Sequence, residues 1–223
     1  MGGSDCEHIG RGLLAQPANT LSSLAYVLAG TLLLWRAFAG RSQPRVACFV
    51  YAMAVIGVGV GSVAFHGPMP AWGRFAHDLS IAAVLAFVIG YDVALARGRA
   101  VERGLVISGG LAGACALVLA VSPDAANGLD VLLVVGALAA EVVASRSPVG
   151  RATGDARIWI VGAAVLTIGA ILNALGRTDG PLCNADSPVQ LHAVWHLATA
   201  VVLWLYGVAV LGVREQARPK IRA

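Results

Sequence analysis

The chain has 223 residues, of which 58% are hydrophobic and only 13% are charged, and its mean hydropathy is +0.77. A water-soluble domain carries roughly a quarter charged residues, so this composition excludes an ordinary soluble globular protein. The net charge of +4 does not indicate a nucleic-acid partner, because the basic residues lie in short loops between apolar runs, which is a signal of membrane topology.

Seven apolar segments are each long enough to cross the roughly 30 Å of bilayer hydrocarbon as a helix. The sequence therefore predicts an all-α integral membrane protein, a single domain made of a seven-transmembrane-helix bundle. The predicted helices span about residues 17–38, 46–65, 75–96, 104–121, 129–145, 158–176 and 188–213.

The basic residues are distributed very unevenly between the two sides of this bundle. Thirteen of the sixteen lie on one side, whereas only Arg11, Arg74 and Arg177 lie on the other. Short cytoplasmic loops are enriched in arginine and lysine, so we expect the N-terminus outside and the C-terminus in the cytoplasm. Fifteen of the sixteen are arginine, which is typical of a high-GC bacterial genome. We therefore expect a bacterial inner membrane, with the outer side facing the periplasm.

The four cysteines fit this orientation. Cys6 and Cys183 both fall on the predicted outer side, where conditions are oxidising, so we expect a disulfide between them. Cys48 and Cys115 lie within the second and fourth predicted helices, and we expect them to be buried thiols.

Four of the five histidines lie at or within the outer ends of predicted helices: His66, His77, His192 and His196. Ionisable residues inside a bilayer are costly, so each one is a candidate functional residue. His192 and His196 are four positions apart and share one helix face, which is the spacing that lets two imidazoles hold one metal ion. The alternative is that they are hydrogen-bonded within the bundle without a metal.

The start of the seventh helix determines how far His192 and His196 lie below the membrane surface. Ser187, Pro188 and Gln190 form the pattern of a capping box with proline at the first helical position. A helix that begins there places His192 about 7 Å and His196 about 13 Å along the axis. Both imidazoles are then expected below the membrane surface.

A third imidazole is available at the same level. His66 ends the second predicted helix, with Ser62 one turn before it. Three imidazoles and one water are typical of a catalytic zinc site, and Asp78, at the start of the third helix, is the natural proton acceptor for that water. The alternative for Asp78 is a carboxylate stabilised by the helix dipole. His77 is adjacent to Asp78, and we expect it to point elsewhere around the helix.

Several other features of the sequence do not indicate a catalytic or cofactor-binding site. Asp92 and Glu141 lie near the cytoplasmic ends of their helices and are predicted to be interfacial or structural. The glycines of residues 57–61 lie in an apolar helix, so they predict close helix packing and not a phosphate loop. The only lysine, Lys220, is in the tail, which excludes a retinal Schiff base. A haem protein with histidine ligands from two helices remains an alternative.

The order of these motifs resembles the alkaline ceramidase family along nearly the whole chain. The motifs that carry the resemblance are Cys6-Glu7, Gln16-x-x-Asn19-x-x-Ser22, Ser62-x-x-x-His66, Asp78 and His192-x-x-x-His196. The resemblance implies a membrane-embedded zinc enzyme that hydrolyses the amide bond of ceramide or a related N-acyl lipid to a fatty acid and a sphingoid base or amine. The wider superfamily includes adiponectin-type receptors, so a zinc-containing receptor without this activity is the alternative.

The resemblance also implies roles for individual residues. The zinc ligands would be His66, His192 and His196. Asp78 would orient or deprotonate the attacking water, and Ser62 would contact that water or the developing oxyanion. Cys6 and Cys183 match the positions of the family's disulfide on the outer side.

The resemblance also bears on a possible calcium site. In the eukaryotic members, acidic residues near the first cysteine and at the start of the first helix hold a calcium ion. Here Glu7 is retained, but Gln16 stands where a carboxylate is expected. We therefore do not expect calcium as a cofactor.

Overall fold

The computed structural model describes residues 1–39, 45–148 and 156–211. Within these ranges, seven helical segments are long and apolar enough to cross a membrane, which confirms the predicted seven-helix architecture. The helices are α1 (Pro17–Ser22), α2 (Leu24–Ala39), α3 (Arg45–His66), α4 (Gly73–Ala96), α5 (Val101–Val121), α6 (Ala126–Ser145), α7 (Ala156–Leu175) and α8 (Leu191–Tyr206). A 3-10 turn (Pro123–Ala125) precedes α6, and a π-helical turn (Gly207–Leu211) follows α8.

The first span consists of α1 and α2, which are interrupted at Ser23. The carbonyl oxygen of Asn19 accepts hydrogen bonds from the hydroxyl groups of Ser22 (3.0 Å) and Ser23 (2.6 Å). It also accepts the backbone N–H of Ser23 at 3.2 Å. Hydroxyl groups that bond back to a carbonyl of the preceding turn commonly bend a helix. The interruption lies beside the histidines of α3 and α8, so it belongs to the local structure of the candidate site.

The seventh span starts later than predicted, because α8 begins at Leu191 and not at Pro188. The predicted capping box is wrong: the Ser187 hydroxyl accepts the N–H of Val189 (3.1 Å) and forms a turn. Gln190, in an extended conformation, donates its side-chain amide to three carbonyl groups of the preceding loop. These local hydrogen bonds compete with helix formation.

This shift changes the depth of the histidine pair. His192 and His196 are the second and sixth residues of α8, so they lie about 3 Å and 9 Å along the axis, closer to the helix start than the sequence predicts. The predicted end of this helix, near residue 213, lies outside the described residues.

The bundle is organised around α3 and α4. α3 packs between α2 and α4, α4 also contacts α5 and α6, and α8 contacts α7, α2 and α1. The Tyr51 ring lies 5.0 Å from that of Phe87 and 5.3 Å from that of Tyr206, and its hydroxyl donates to the carbonyl of Leu203 (2.8 Å). Large apolar side chains are exposed around the outside of the bundle, as expected for lipid contact, among them Leu28, Trp35, Val106, Leu117, Leu132 and Val161.

Asp92 of α4 lies inside the bundle. It is completely buried and accepts a hydrogen bond from the Tyr206 hydroxyl (2.8 Å). Of the two predicted roles for Asp92, interfacial or structural, the burial supports the structural one.

Glycines let α3 approach its two neighbours closely, as predicted from the run at residues 57–61. A Cβ atom at Gly59 would lie 2.7 Å from Val27 of α2, and one at Gly61 would lie 2.7 Å from the carbonyl oxygen of Ala76 and 2.8 Å from the hydroxyl of Ser80 on α4. Small residues at such crossings allow backbones to pack tightly within a membrane. Gly61 thereby brings α3, which carries His66, next to α4.

A Gly61→Ala variant tests this packing. The added methyl group would meet backbone that cannot rotate away, so we expect the free energy of unfolding to fall by about 1–3 kcal/mol. Gly57→Ala is the matched control, because the nearest atom to its new Cβ lies 4.0 Å away. Thermal unfolding of both variants in detergent measures the difference, and equal stabilities would contradict the close approach.

Candidate metal centre

Three imidazoles from two helices meet at one end of the bundle, which we call the histidine end. One ring nitrogen from each of His66, His192 and His196 lies within 4.8 Å of those of the other two. The ring centroids are 5.1 Å, 5.2 Å and 4.5 Å apart. His66 is the last residue of α3, and the other two share one face of α8. The structure therefore brings together the three predicted metal ligands.

The hydrogen bonds of Gln16 determine the orientation of the His66 ring. The Nε2 group of Gln16 donates to the carbonyl oxygens of Gly2 (2.9 Å) and Glu7 (3.0 Å). The amide oxygen is therefore the atom that faces His66 Nδ1, at 2.7 Å. Because that oxygen is an acceptor only, Nδ1 carries the hydrogen and the lone pair of His66 lies on Nε2.

The two histidines of α8 are oriented in the same way. His192 Nδ1 lies 2.9 Å from the side-chain oxygen of Asn173 on α7. His196 Nδ1 lies 3.2 Å from the carbonyl oxygen of Asn19 and 2.9 Å from the Ser22 hydroxyl, which itself donates to that carbonyl. Each Nδ1 therefore donates, and each lone pair again lies on Nε2.

These three lone pairs fit a metal ion. The Nε2 atoms of His66 and His192 are buried and have no hydrogen-bond partner within the described part of the chain, and the nearest group to that of His196 is the Ser62 hydroxyl at 3.5 Å. Buried polar atoms without partners are rare in folded proteins. Metal-bound histidines typically donate their other ring nitrogen to an oxygen acceptor, as all three do here.

The spacing of the rings argues against the haem alternative. In a haem protein the flat macrocycle lies between two axial imidazoles, so their rings face each other across it. Ring centroids 4.5 to 5.2 Å apart, with the nitrogens converging from two neighbouring helices, leave no space for a porphyrin plane. A single small ion suits the cluster.

Ser62 lies at the edge of the imidazole cluster, one turn before His66 on α3. It is 1% exposed, and its hydroxyl lies 2.8 Å from that of Ser23. Ser23 in turn donates to the carbonyl of Asn19, so the Ser62 hydroxyl is positioned by the interruption between α1 and α2. The same hydroxyl lies 3.5 Å from His196 Nε2, beside the lone pairs of the cluster.

Asp78 lies on α4 with its carboxylate between two basic side chains. One oxygen is 3.7 Å from Arg74 Nε and the other is 2.9 Å from His77 Nδ1. The His77 ring stacks on Phe65, and its centroid is 6.1 Å from that of His66. The prediction that His77 points away from Asp78 is wrong, because the imidazole turns back to its neighbour's carboxylate.

The N-terminal segment covers the histidine end. The structure contains the predicted disulfide between Cys6 and Cys183, with Cα atoms 5.6 Å apart. This bond joins the segment to the loop between α7 and α8. The residue before Cys6, Asp5, is buried beside His66 and His192. The sequence analysis did not predict a role for it.

Glu7 and Gln16, the residues relevant to calcium, make other contacts in this structure. The Glu7 carboxylate accepts the backbone N–H groups of Ala18 (2.7 Å) and Asn19 (2.9 Å) at the start of α1. Carboxylates at helix N-termini are stabilised by free N–H groups and by the helix dipole. Gln16 joins His66 to the N-terminal segment, as described above.

Asn173 and Ser23 are further site residues that the sequence analysis missed. Asn173 is a polar residue in the predominantly apolar span of α7, so the cost of polar groups inside a bilayer, which singled out the histidines, could also have identified it. Ser23 lies next to the predicted Ser22 motif. No comparable signal pointed to its contact with Ser62, which depends on how α1 and α2 bend.

The fold and the cluster define a class of protein: a multi-pass membrane protein with a buried three-histidine centre able to hold a metal ion. A model of the ceramidase family matches residues 7–220, nearly the whole chain. The chain therefore belongs to the ceramidase family, which implies an amide hydrolase of the membrane. No curated protein and no solved structure matches it.

An Asn173→Ala variant tests the orientation of the ligands. Without the acceptor for its Nδ1–H group, His192 loses the contact that fixes its ring and tautomer, so we expect the dissociation constant for zinc to rise about 10- to 100-fold. Competition with a chromophoric chelator in detergent measures this constant. Asn127→Ala, at an exposed position on α6, is the control; a wild-type affinity for both variants would contradict the assignment.

Proposed function

We propose that the protein is a zinc-dependent amidohydrolase that cleaves the amide bond of ceramide or a related N-acyl lipid within the membrane. The observation that carries this proposal is the convergence of three imidazole nitrogens, whose lone pairs face one another. Family membership supports the amide bond as the target. It also favours the enzyme over the receptor alternative.

The three histidines are the residues that would hold the ion. Their set of three neutral nitrogen donors is typical of zinc sites that leave a position open for water or substrate. When bound, zinc supplies a Lewis acid that polarises a carbonyl group and makes water nucleophilic at neutral pH. Gln16, Asn173 and the carbonyl of Asn19 keep the rings aligned throughout.

Asp78 is the group that we propose moves the proton. Its carboxylate takes a proton from the attacking water and returns it to the amide nitrogen as the carbon–nitrogen bond breaks. The products are a fatty acid and a free amine. Arg74 and His77, which both contact the carboxylate, hold it in place.

Ser62 is proposed to stabilise the charge that develops on the carbonyl oxygen. Its hydroxyl is buried at the edge of the cluster and can rotate its hydrogen from Ser23 towards the substrate oxygen. One well-placed donor of this kind contributes about 3–4 kcal/mol to transition-state stabilisation. Replacement by alanine is therefore expected to slow turnover without removing the metal.

The position of the site suits a lipid substrate. The proposed ligands lie within the last turn of α3 and the first two turns of α8, so we expect them near the end of the apolar spans, where an N-acyl lipid can present its amide group. Acyl chains can then remain in the hydrocarbon during the reaction. The charge bias and the disulfide both support a histidine end that faces the outside, which in a bacterial inner membrane is the periplasm.

An Asp78→Asn variant tests the proton-transfer role. Asparagine keeps the shape of the side chain but cannot accept the proton, so we expect zinc content to be retained and the release of fatty acid from a ceramide to fall at least about 100-fold. Asp124→Asn is the matched control, since Asp124 also pairs with Arg74 but is exposed in the 3-10 turn before α6. Unchanged hydrolysis by Asp78→Asn would remove Asp78 from the mechanism.

A further inference from the structure

Asp5 lies between two of the three proposed ligands. Its side chain is 7% exposed. One carboxylate oxygen is 3.7 Å from His192 Nδ1 and the other is 3.9 Å from His66 Nδ1. The two histidines come from different helices, so a single carboxylate on a third segment contacts both rings on the side opposite to their lone pairs.

The charges of the site require a group of this kind. Three neutral imidazoles contribute no negative charge, so a divalent ion bound to them would leave two positive charges in a buried position. A buried charge is costly unless an opposite charge compensates it. Asp5 accepts a hydrogen bond from the Ser4 hydroxyl (2.9 Å), and the basic side chains found within 4.0 Å of its carboxylate among the described residues are the two imidazoles.

The backbone on both sides of Asp5 is held firmly. We call residues 2–7 the N-terminal strap. The carbonyl of Ser4 accepts the N–H of Thr178 (3.0 Å), and the N–H of Cys6 donates to the Thr178 hydroxyl (3.1 Å). Cys6 adopts a left-handed conformation with φ of 67° and is bonded to Cys183. Such a conformation is uncommon for a residue with a side chain and is retained where the surroundings enforce it.

A second contact ties the strap to the metal ligands. Gln16 donates to carbonyl oxygens near each end of the strap while its own oxygen accepts from His66. A Cβ atom at Gly2 would collide with the Gln16 amide, so the absence of a side chain there lets the strap lie directly on it. Asp5 therefore occupies a fixed position relative to both imidazoles.

We propose that Asp5 is a positioning residue of the metal centre, whose carboxylate aligns His66 and His192 and offsets the charge of the bound ion. This inference rests on the proposed zinc function. Gln16 and Asn173 accept the hydrogen bonds of the two Nδ1–H groups, so the Asp5 carboxylate acts on the rings through its charge, from 3.9 Å and 3.7 Å. Loss of a group beside a ligating imidazole typically costs 10- to 100-fold in metal affinity. Asp5 would act in this way on two ligands at once.

The test is an Asp5→Asn variant of the full chain, purified in detergent beside the wild type. We expect its dissociation constant for zinc to rise about 10- to 100-fold in chelator competition. With cobalt(II) in place of zinc, we expect a shifted visible absorption spectrum, because the two imidazoles are no longer held by the carboxylate. Asp186→Asn removes the same charge from an exposed position between α7 and α8, and it should match the wild type in both measurements.

Thermal unfolding of the metal-free proteins distinguishes a positioning role of Asp5 at the metal centre from a role in the stability of the fold. Without an ion, the Asp5 carboxylate has no full positive charge beside it, so metal-free Asp5→Asn should melt no lower than the metal-free wild type. A lower melting temperature, or wild-type zinc affinity and cobalt spectrum in Asp5→Asn, would overturn the proposal. Failure of the wild type itself to bind zinc would instead refute the proposed function.

Discussion

Three imidazole lone pairs that face one another in a buried space are the constraint on which the rest of this end of the molecule depends. Such an arrangement is unfavourable unless a cation or a set of hydrogen-bond donors occupies the space. The contacts around His66, His192 and His196 are arranged so that each Nδ1 donates outwards and each lone pair points inwards. The surrounding structure thus enforces a geometry that the rings alone would avoid.

The polar groups that enforce this geometry come from three separate parts of the chain. Gln16 and Asn19 lie at the start of the first span, Asn173 lies on α7, and Asp5 lies on the N-terminal strap. The disulfide between Cys6 and Cys183 and the contacts of Thr178 connect the strap to the loop that precedes α8. A covalent bond outside the apolar spans therefore helps to hold polar groups at the ends of these spans.

Much of the fold could be predicted from the sequence, because long apolar runs and the need to satisfy every backbone hydrogen bond in lipid leave few alternatives to helices. The three ligands were predictable for a related reason: imidazoles are costly in a bilayer, and His192 and His196 have the spacing of one helix face. The start of α8 was not predictable, since Ser187 and Gln190 match a capping pattern yet form hydrogen bonds with the preceding loop. Local sequence does not reveal which of two hydrogen-bonding solutions the loop adopts.

The contacts of Asp5 and His77 could not be predicted from the sequence. The distance between Asp5 and His192 is set by a disulfide and by the path of an irregular segment, neither of which has a periodic pattern. Because adjacent residues on a helix point in different directions, the sequence predicted that His77 would face away from Asp78. The long side chains nevertheless meet, because the Phe65 ring supports the imidazole and the buried carboxylate needs a partner. The position of His77 thus depends on side-chain conformation, which spacing alone does not determine.

The most direct test of this account is to measure metal content and amide hydrolysis on the same detergent-purified samples, wild type beside His192→Ala. The account predicts about one zinc per wild-type chain and release of fatty acid from a ceramide, with both lost in the variant. A wild-type protein without bound metal, or a variant that retains both metal and hydrolysis, would contradict it.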